Sequence, residues 1–480
     1  MASLARCDRP EAFPCSLLHR SIDASMRGRV LGSCVTGNPV DDCWRCDPNW
    51  ADNRTALADC AVGFGSGAVG GKHGKLYVVT DAGDDDPADP APGTLRHGVS
   101  QEEPLWITFA RDMTIRPKQD LLVRSHKTID GRGADVVVGD GGACFMIHNA
   151  SNVIVHGLTV RNCKPSRLVT SPASASTDMS DGDGVAVLRS SDVWVDHCTL
   201  EACADGLVNV TDGSTNVTIS NNLSKNHNKT ILLGHSDDAS DDKDMRVTVA
   251  FNRFGPGLVQ RMPRCRFGLF HVINNDYVKW KMYAIGGSAS PTILSQGNRF
   301  LAGEAKEVTK REEAAESEWS KWNWISEDDM MLNGAFFRSS GSSRPEIKAL
   351  SFAKPVSSVP SMTASAGALS FFSDELDHPF MIQHVKYKTR LLKRKIKTLA
   401  HLHSNHLKDA FVQHLKKQNL RHKIYETAHY QLDDEGSNEA DHAGPGVPYL
   451  GGLGEPQEGL TQLWLHPRHL NLNWVQNSVI

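Results

Sequence analysis

The chain has 480 residues and a formal net charge of −4, its 52 Lys and Arg nearly matched by 56 Asp and Glu. That balance supplies no whole-molecule field for nucleic acid, so any affinity for an anion has to be local. The length exceeds one ordinary domain, although a repetitive β architecture with appendages accommodates it, and no run of about 18 apolar residues offers a bilayer span.

Residues 1–32 come first, and Arg6, Asp8, Arg9, Glu11 and Pro14 interrupt any apolar core of a secretory signal. Cys34, Cys43, Cys46 and Cys60 then cluster. Together with the sequons at Asn53, Asn149, Asn209, Asn216, Asn222 and Asn228 they favour an oxidising, secretory setting with disulfides and glycans. Eleven cysteines leave at least one thiol unpaired. Cys43-Trp-Arg-Cys46 also has the spacing of a redox or zinc pair, but no second ligand pair of suitable spacing follows.

From about Val136 to Phe300 short β-rich strings recur: Val153–His156, Val193–Asp196, Val217–Ser220, Val247–Ala250, Phe270–Ile273 and Thr292–Ser295. They lie roughly 20 to 30 residues apart, with one gap of about 40 around an insertion at Pro165–Asp178, which is the signature of a solenoid whose turns stack as rungs. Strands of a β-sandwich recur every 8 to 12 residues or so, a poorer match. Asn222, Asn252 and Asn275 each follow their own string at the same distance, so they are expected to stack and hydrogen-bond along the axis.

Beyond Leu301 the pattern changes. Ala305–Glu318 reads as an acidic helical piece, followed by Trp319, Trp322 and Trp324, which are expected to pack rather than serve as sugar platforms. Lys386–Lys423 is crowded with Lys, Arg and His and Asp433–Gln457 is acidic and rich in Gly and Pro, together expected to form a solvated, poorly ordered tail rather than a nucleic-acid patch.

Asp181-Gly182-Asp183-Gly184 places two carboxylates two positions apart, on one face of an extended segment. Asp205 and Asn209 can turn toward them from the neighbouring rung, and oxygen ligands gathered from successive rungs suit Ca²⁺, which takes six to eight oxygens in irregular geometry. Taken singly, an Asp-Gly pair is a turn. Asp237–Asp244 reads as a solvated acidic loop. Arg261, Arg264 and Arg266 surround Pro263, which points to a loop or strand edge, and they are suited to fork onto carboxylates of an acidic polymer. Lys229 and His271 are weak signals in isolation.

The ordered series Asn38-Pro-Val-Asp-Asp-Cys-Trp-Arg-Cys46, Tyr77–Pro87, Pro92–Arg96, Thr128-Ile-Asp-Gly-Arg-Gly133, Trp194-Val-Asp-His197, Leu232-Leu-Gly-His-Ser236, Gln260–Arg266 and Tyr283-Ala-Ile-Gly-Gly-Ser288 resembles the plant pectate lyases and related pollen allergens from about Ser33 to about Leu369. The resemblance implies an all-β fold, a right-handed single-stranded parallel β-helix over 33–303, with a C-terminal strap over 304–371 and an atypical tail over 372–480. It implies a secreted cell-wall enzyme, a monomer with no nucleic-acid or membrane partner, that cleaves de-esterified homogalacturonan by β-elimination with Ca²⁺. Carried over by position, Asp181, Asp205 and position 209 match calcium ligands with Asp183 alongside. Arg261 matches the catalytic base, and Lys229, Arg264 and Arg266 match groups that hold substrate carboxylates. Read without the resemblance, Arg261 would be an electrostatic clamp, because a guanidinium ordinarily stays protonated.

One departure matters. The family has Asp at position 209, whereas Asn209 offers a carbonyl oxygen without charge, so calcium affinity is expected to fall, and a weakly active or inactive pectin-binding scaffold is the alternative. The same change creates the sequon Asn209-Val210-Thr211. Pectin lyase, acting on methylated polymer without calcium, is the poorer match because Asp181, Asp205 and Lys229 are all present.

Overall fold

A computed structural model of the chain describes residues 36–47, 49–167, 179–347 and 352–369. The expectations for residues 1–32 and for the tail from 372 onward lie outside the described residues. Among those described, successive turns of chain build three parallel sheets of ten, eight and nine strands, a parallel β-helix. Each turn gives one strand to each sheet, for example Ser191–Asp196, Thr199–Glu201 and Gly206–Thr211.

The six strings legible in the sequence all fall in the ten-stranded sheet, pairing in register from Val153 with Val193 through Phe270 with Ile293. The last four residues of Ser191–Asp196 and Thr215–Ser220 are all buried, as expected of a parallel sheet covered on both faces. Inside, apolar side chains stack from coil to coil; the rings of Phe254, Tyr277 and Phe300 lie 4.6 and 4.5 Å apart. The expected asparagine ladder forms. Asn222 Nδ2 donates to Asn252 Oδ1 (3.1 Å) and Asn252 Nδ2 to Asn275 Oδ1 (2.9 Å), and the ladder runs two rungs further through Asn298 to Asp329. Its sequence offsets of 30, 23, 23 and 31 residues repeat the spacing of the coils. Each such buried bond is worth about 0.5–1.5 kcal/mol net.

The outer face of the ten-stranded sheet is covered from both ends of the described chain. The N-terminal segment opens with a helix, Pro39–Trp44, capped by the Asn38 side chain and started by a proline at its first position. It then lies flat on the sheet. At Gly65 a Cβ would sit 2.6 Å from Thr218 N, and at Gly71 only 1.9 Å from Leu105 O, so both positions need glycine for the backbones to approach. Cys43 bonds to Cys60, not to Cys46, which is itself disulfide-bonded, so the Cys43–Cys46 spacing forms no redox pair; Cys144 bonds to Cys163.

From the other end, Phe352 packs edge-on against Phe251, Asn274 Nδ2 donates to Lys354 O, and Gly367 N donates to Asn221 O. Not all of the expected strap 304–371 lies across the helix in this way. Thr309–Arg311, Trp324–Glu327 and Met330–Leu332 extend the three sheets by a further coil, and among the described residues it is 352–369 that run back across the helix. Ala305–Glu318 is not a helix: pairing of Thr309–Arg311 with Ile285–Gly287 overrides its helix propensity, and one turn, Glu316–Trp319, remains. Trp322 and Trp324 are buried, and Arg311 lies 4.7 and 4.1 Å over the rings of Trp319 and Trp324, so these tryptophans pack as expected.

Beneath the N-terminal segment lies a buried ion network. His197 donates from Nδ1 to Asp196 Oδ2 (2.7 Å), its Nε2 lies 2.9 Å from Asp41 Oδ1, and His156 Nδ1 reaches the same Asp196 oxygen at 2.9 Å. Ser220 Oγ and Asn221 Nδ2 donate to Asp196 Oδ1. Asp196, the last residue of a strand of the ten-stranded sheet, thus serves to dock the N-terminal helix.

Candidate active site

With one sheet covered, the eight-stranded sheet carries the outward face where the acids and arginines gather. Across it the register places Ala186 beside Asn209, Asn209 beside Leu232, Leu232 beside Arg264 and Arg264 beside Gly286. These residues form one file crossing five coils at about 4.8 Å per step.

The four candidate calcium ligands come together around the beginnings of two neighbouring central strands of this sheet, Val185–Leu188 and Gly206–Thr211. Asp181 and Asp183 precede the strand Val185–Leu188 and are not part of it, so they do not share one strand face: Asp181 is exposed while Asp183 is half-buried. Asp183 Oδ1 accepts from Gly206 N at 2.6 Å, and the Asn209 side chain also donates to it. Burial, with the nearby Asp205 and Asp181 carboxylates adding to it, pushes Asp183 up to about 7 against those two hydrogen bonds. Asn209 lies in the central strand Gly206–Thr211, its Oδ1 buried without a partner and folded over Gly206, where a Cβ would come within 2.3 Å of it. The Asn209 side chain is thus buried in the folded sheet. On the next coil Lys229 Nζ forms an ion pair with Asp205, and His227 Nε2 sits 2.6 Å from Asp205 O.

One coil further, Gln260 bridges to Lys229 and Arg261 O accepts from Ile231 N at 2.6 Å. Arg261 has a φ of 65°, a left-handed conformation that an arginine rarely adopts without surrounding structure to enforce it. Its Nε is buried without a partner, and its guanidinium approaches the Tyr283 hydroxyl without closing a well-aligned hydrogen bond. Burial, helped by Glu312, pushes Tyr283 up to about 12, so this hydroxyl stays neutral.

The two other arginines are not at a loop or edge. Arg264–Arg266 is a central strand of the eight-stranded sheet, begun immediately after Pro263, whose missing N–H costs the ladder nothing there. Arg264 Nη1 lies 2.7 Å from Glu312 Oε2, and Arg266 Nε lies 2.6 Å from Asp237 Oδ1. The acidic loop is therefore only partly solvated: Asp237 turns onto Arg266, and buried Asp242 accepts from Gly213 N and His235 N, both at 2.8 Å. Tyr283, Asp237, Ser288 and Glu312 are members of this site to which the sequence alone assigns no role, although Tyr283 and Ser288 lie within the motif Tyr283–Ser288. His271, by contrast, is buried in the ten-stranded sheet, hydrogen-bonded to Gln296 and packed near Phe352, a structural histidine.

A crowd of carboxylates paired, among the described residues, with Lys229, and with an orphaned amide oxygen among them, fits a hard cation. A parallel β-helix that sets such a cluster beside a cationic row is a scaffold for holding an acidic polymer. Residues 113–370 match the sequence model of the family described as Pectate lyase. A Zinnia elegans protein named pectate lyase is 58% identical over 363 residues, covering 73% of this chain and 90% of its own, and an Arabidopsis thaliana protein named putative pectate lyase 11 is 57% identical over 364 residues, covering 74% and 88%. The crystal structure of jun a 1, the major allergen from cedar pollen, is 48% identical with a TM-score of 0.67, over 69% of this chain and 100% of that one. The chain belongs to the pectate lyase family, a family of polysaccharide lyases.

Proposed function

We propose that this chain cleaves de-esterified (1→4)-α-D-galacturonan by Ca²⁺-dependent β-elimination, releasing 4,5-unsaturated oligogalacturonides. The observation that carries this reading is the convergence of Asp181, Asp183, Asp205 and Asn209 beside Lys229, with an arginine one coil away that has no carboxylate partner among the described residues. Asp181, Asp205 and Asn209, with Asp183 behind them, would hold the cation. When bound, calcium supplies the positive charge that makes loss of a proton next to a carboxylate feasible. The disulfides and the family's plant members support a substrate met in the cell wall.

The chain's own groups divide the remaining work. Lys229 and Arg264 would hold substrate carboxylates, charge-assisted contacts that stiffen as negative charge develops in the transition state. Arg261 would take the proton from C5. Among the three arginines it alone has no acidic partner among the described residues, and a group already locked into an ion pair cannot serve as the base. As the C5–H bond breaks its electrons form the C4=C5 double bond, the C4–O bond opens, and the departing chain takes a proton from water.

Asn209 favours a second reading, a pectin-binding scaffold with little turnover. The two readings separate on comparing the parent with Asn209→Asp over a calcium series. If the lyase reading holds, the parent turns over, and the restored charge lowers the calcium needed for half-maximal rate about tenfold, equivalent to about 1.4 kcal/mol. An inactive parent that Asp at 209 revives would establish the scaffold instead.

A further inference from the structure

We propose that Asp120 is a positioning residue for the cation, acting through Ser166 and Ser180 to hold Asp181 where a metal can be met. This rests on the reading that Asp181 is a calcium ligand. Asp181 lies outside the strand Val185–Leu188 and is exposed, so no ladder of the sheet fixes it. Its chain neighbours do. On one side Ser180 N donates to Ser166 O at 2.8 Å, Ser166 N donates to Ser180 Oγ at 3.1 Å, and Arg167 bridges antiparallel to Met179. On the other side Gly182, at a φ of 84°, is packed so closely that a Cβ there would lie 2.7 Å from Pro165 N and 2.9 Å from Ala204 Cβ.

Asp120 closes this clasp from an earlier coil. It stands just before Leu121–Val123, a strand two places from Val185–Leu188 in the eight-stranded sheet. Its Oδ2 accepts from Ser166 Oγ at 3.1 Å, Ser166 Oγ accepts in turn from Asp120 N at 3.0 Å, and the Ser180 hydroxyl also donates to the carboxylate. One acceptor group thus ties both strands of the clasp, which an apolar side chain could not do.

The carboxylate is anchored in its turn. Arg96 Nη1 donates to Asp120 O at 3.0 Å and Nη2 to Gln119 O at 2.6 Å, while Arg96 itself is held by Asp84 at 2.5 and 2.8 Å. A buried two-point ion pair therefore supports, through Asp120, the backbone that presents Asp181. A ligand ordered before the metal arrives spares the binding step the entropy of ordering it, and loss of such outer support typically weakens metal affinity about 10–100-fold.

The test is calcium binding to the full chain by titration calorimetry without substrate, beside the calcium dependence of the initial rate on polygalacturonate. Asp120→Ala is expected to weaken binding about tenfold and to raise the calcium needed for half-maximal rate by the same factor, with kcat and KM at saturating calcium within about twofold of the parent. Asp120→Asn keeps an acceptor without the charge and is expected to stay within about threefold of the parent. A loss in Asp120→Asn as large as in Asp120→Ala would make the effect one of charge and overturn the proposal. In an Asp181→Ala background, Asp120→Ala is expected to cause no further loss of calcium affinity. Should Asp120→Ala fail to fold, Ser166→Ala decides, with an expected loss of about threefold. Parent-like calcium affinity in the folded variant, or losses at Asp120 and Asp181 that multiply, overturns the proposal. Calcium affinity unchanged by Asp181→Ala alone would instead remove the reading on which it rests.

Discussion

Replacing Arg261 with alanine is expected to lower kcat by about 10²–10⁴-fold while KM on polygalacturonate stays within about threefold, because a general base contributes in that range and acts only in the transition state. The local structure gives the expectation its force. Arg261 is held in a left-handed conformation beside Ile231, one coil from Lys229 and two coils from the acid cluster, a separation of roughly 10 Å that a uronate ring can bridge. Arg264 and Arg266 on the following strand are tied to Glu312 and Asp237. If Arg261 were only an electrostatic clamp, its loss would appear in KM, and initial rates over a substrate series separate the two roles.

The second large effect concerns stability. Asp196→Ala is expected to cost about 3–5 kcal/mol, since it strips a buried histidine cation of its nearest counter-charge, and to lower the thermal midpoint on the order of 10 °C. Burial opposes charge on His197, yet the Asp196 and Asp41 carboxylates override it and push the imidazole up to about 9. His156, equally buried, is moved the other way and stays neutral. The sign of the pH dependence follows. A histidine whose folded value lies above its unfolded value of about 6.5 contributes its full stabilisation below that point and loses it as pH climbs through about 9. Thermal melts across pH 6 to 10 are therefore expected to fall on the alkaline side in the parent, and to fall less in His197→Gln, which has no such proton to lose.

Legibility in the sequence tracked burial. The strings Val193–Asp196 and Val217–Ser220 stood out because that sheet is covered on both faces, so apolar residues run almost without interruption. The strands of two or three residues in the nine-stranded sheet, such as Arg253–Phe254, are too short to leave a period. Asn222, Asn252 and Asn275 announced the ladder by their common offset. Asn298, which follows Leu294 as Asn275 follows His271, obeys the same rule, while Asp329 is hidden because an acid replaces the amide.

At the site, the acids and arginines were visible one by one, but their grouping came from the family motifs rather than from spacing. The partners that set the arginines apart were not visible. Asp237 lies 29 residues from Arg266 and 51 from Ser288, and nothing local in an Asp-rich loop distinguishes the carboxylate that turns inward from those that remain in solvent. Pro263 misled in the opposite direction, since proline is compatible with a central strand when it stands just before the first paired residue.

The most direct measurement of the account is the formation of unsaturated uronides, followed by ultraviolet absorbance, as calcium is titrated into the metal-stripped full chain with polygalacturonate. The account predicts no product in chelator and a rate that rises and saturates with calcium. A folded protein that forms product equally well in chelator, or none at any calcium concentration, would contradict it.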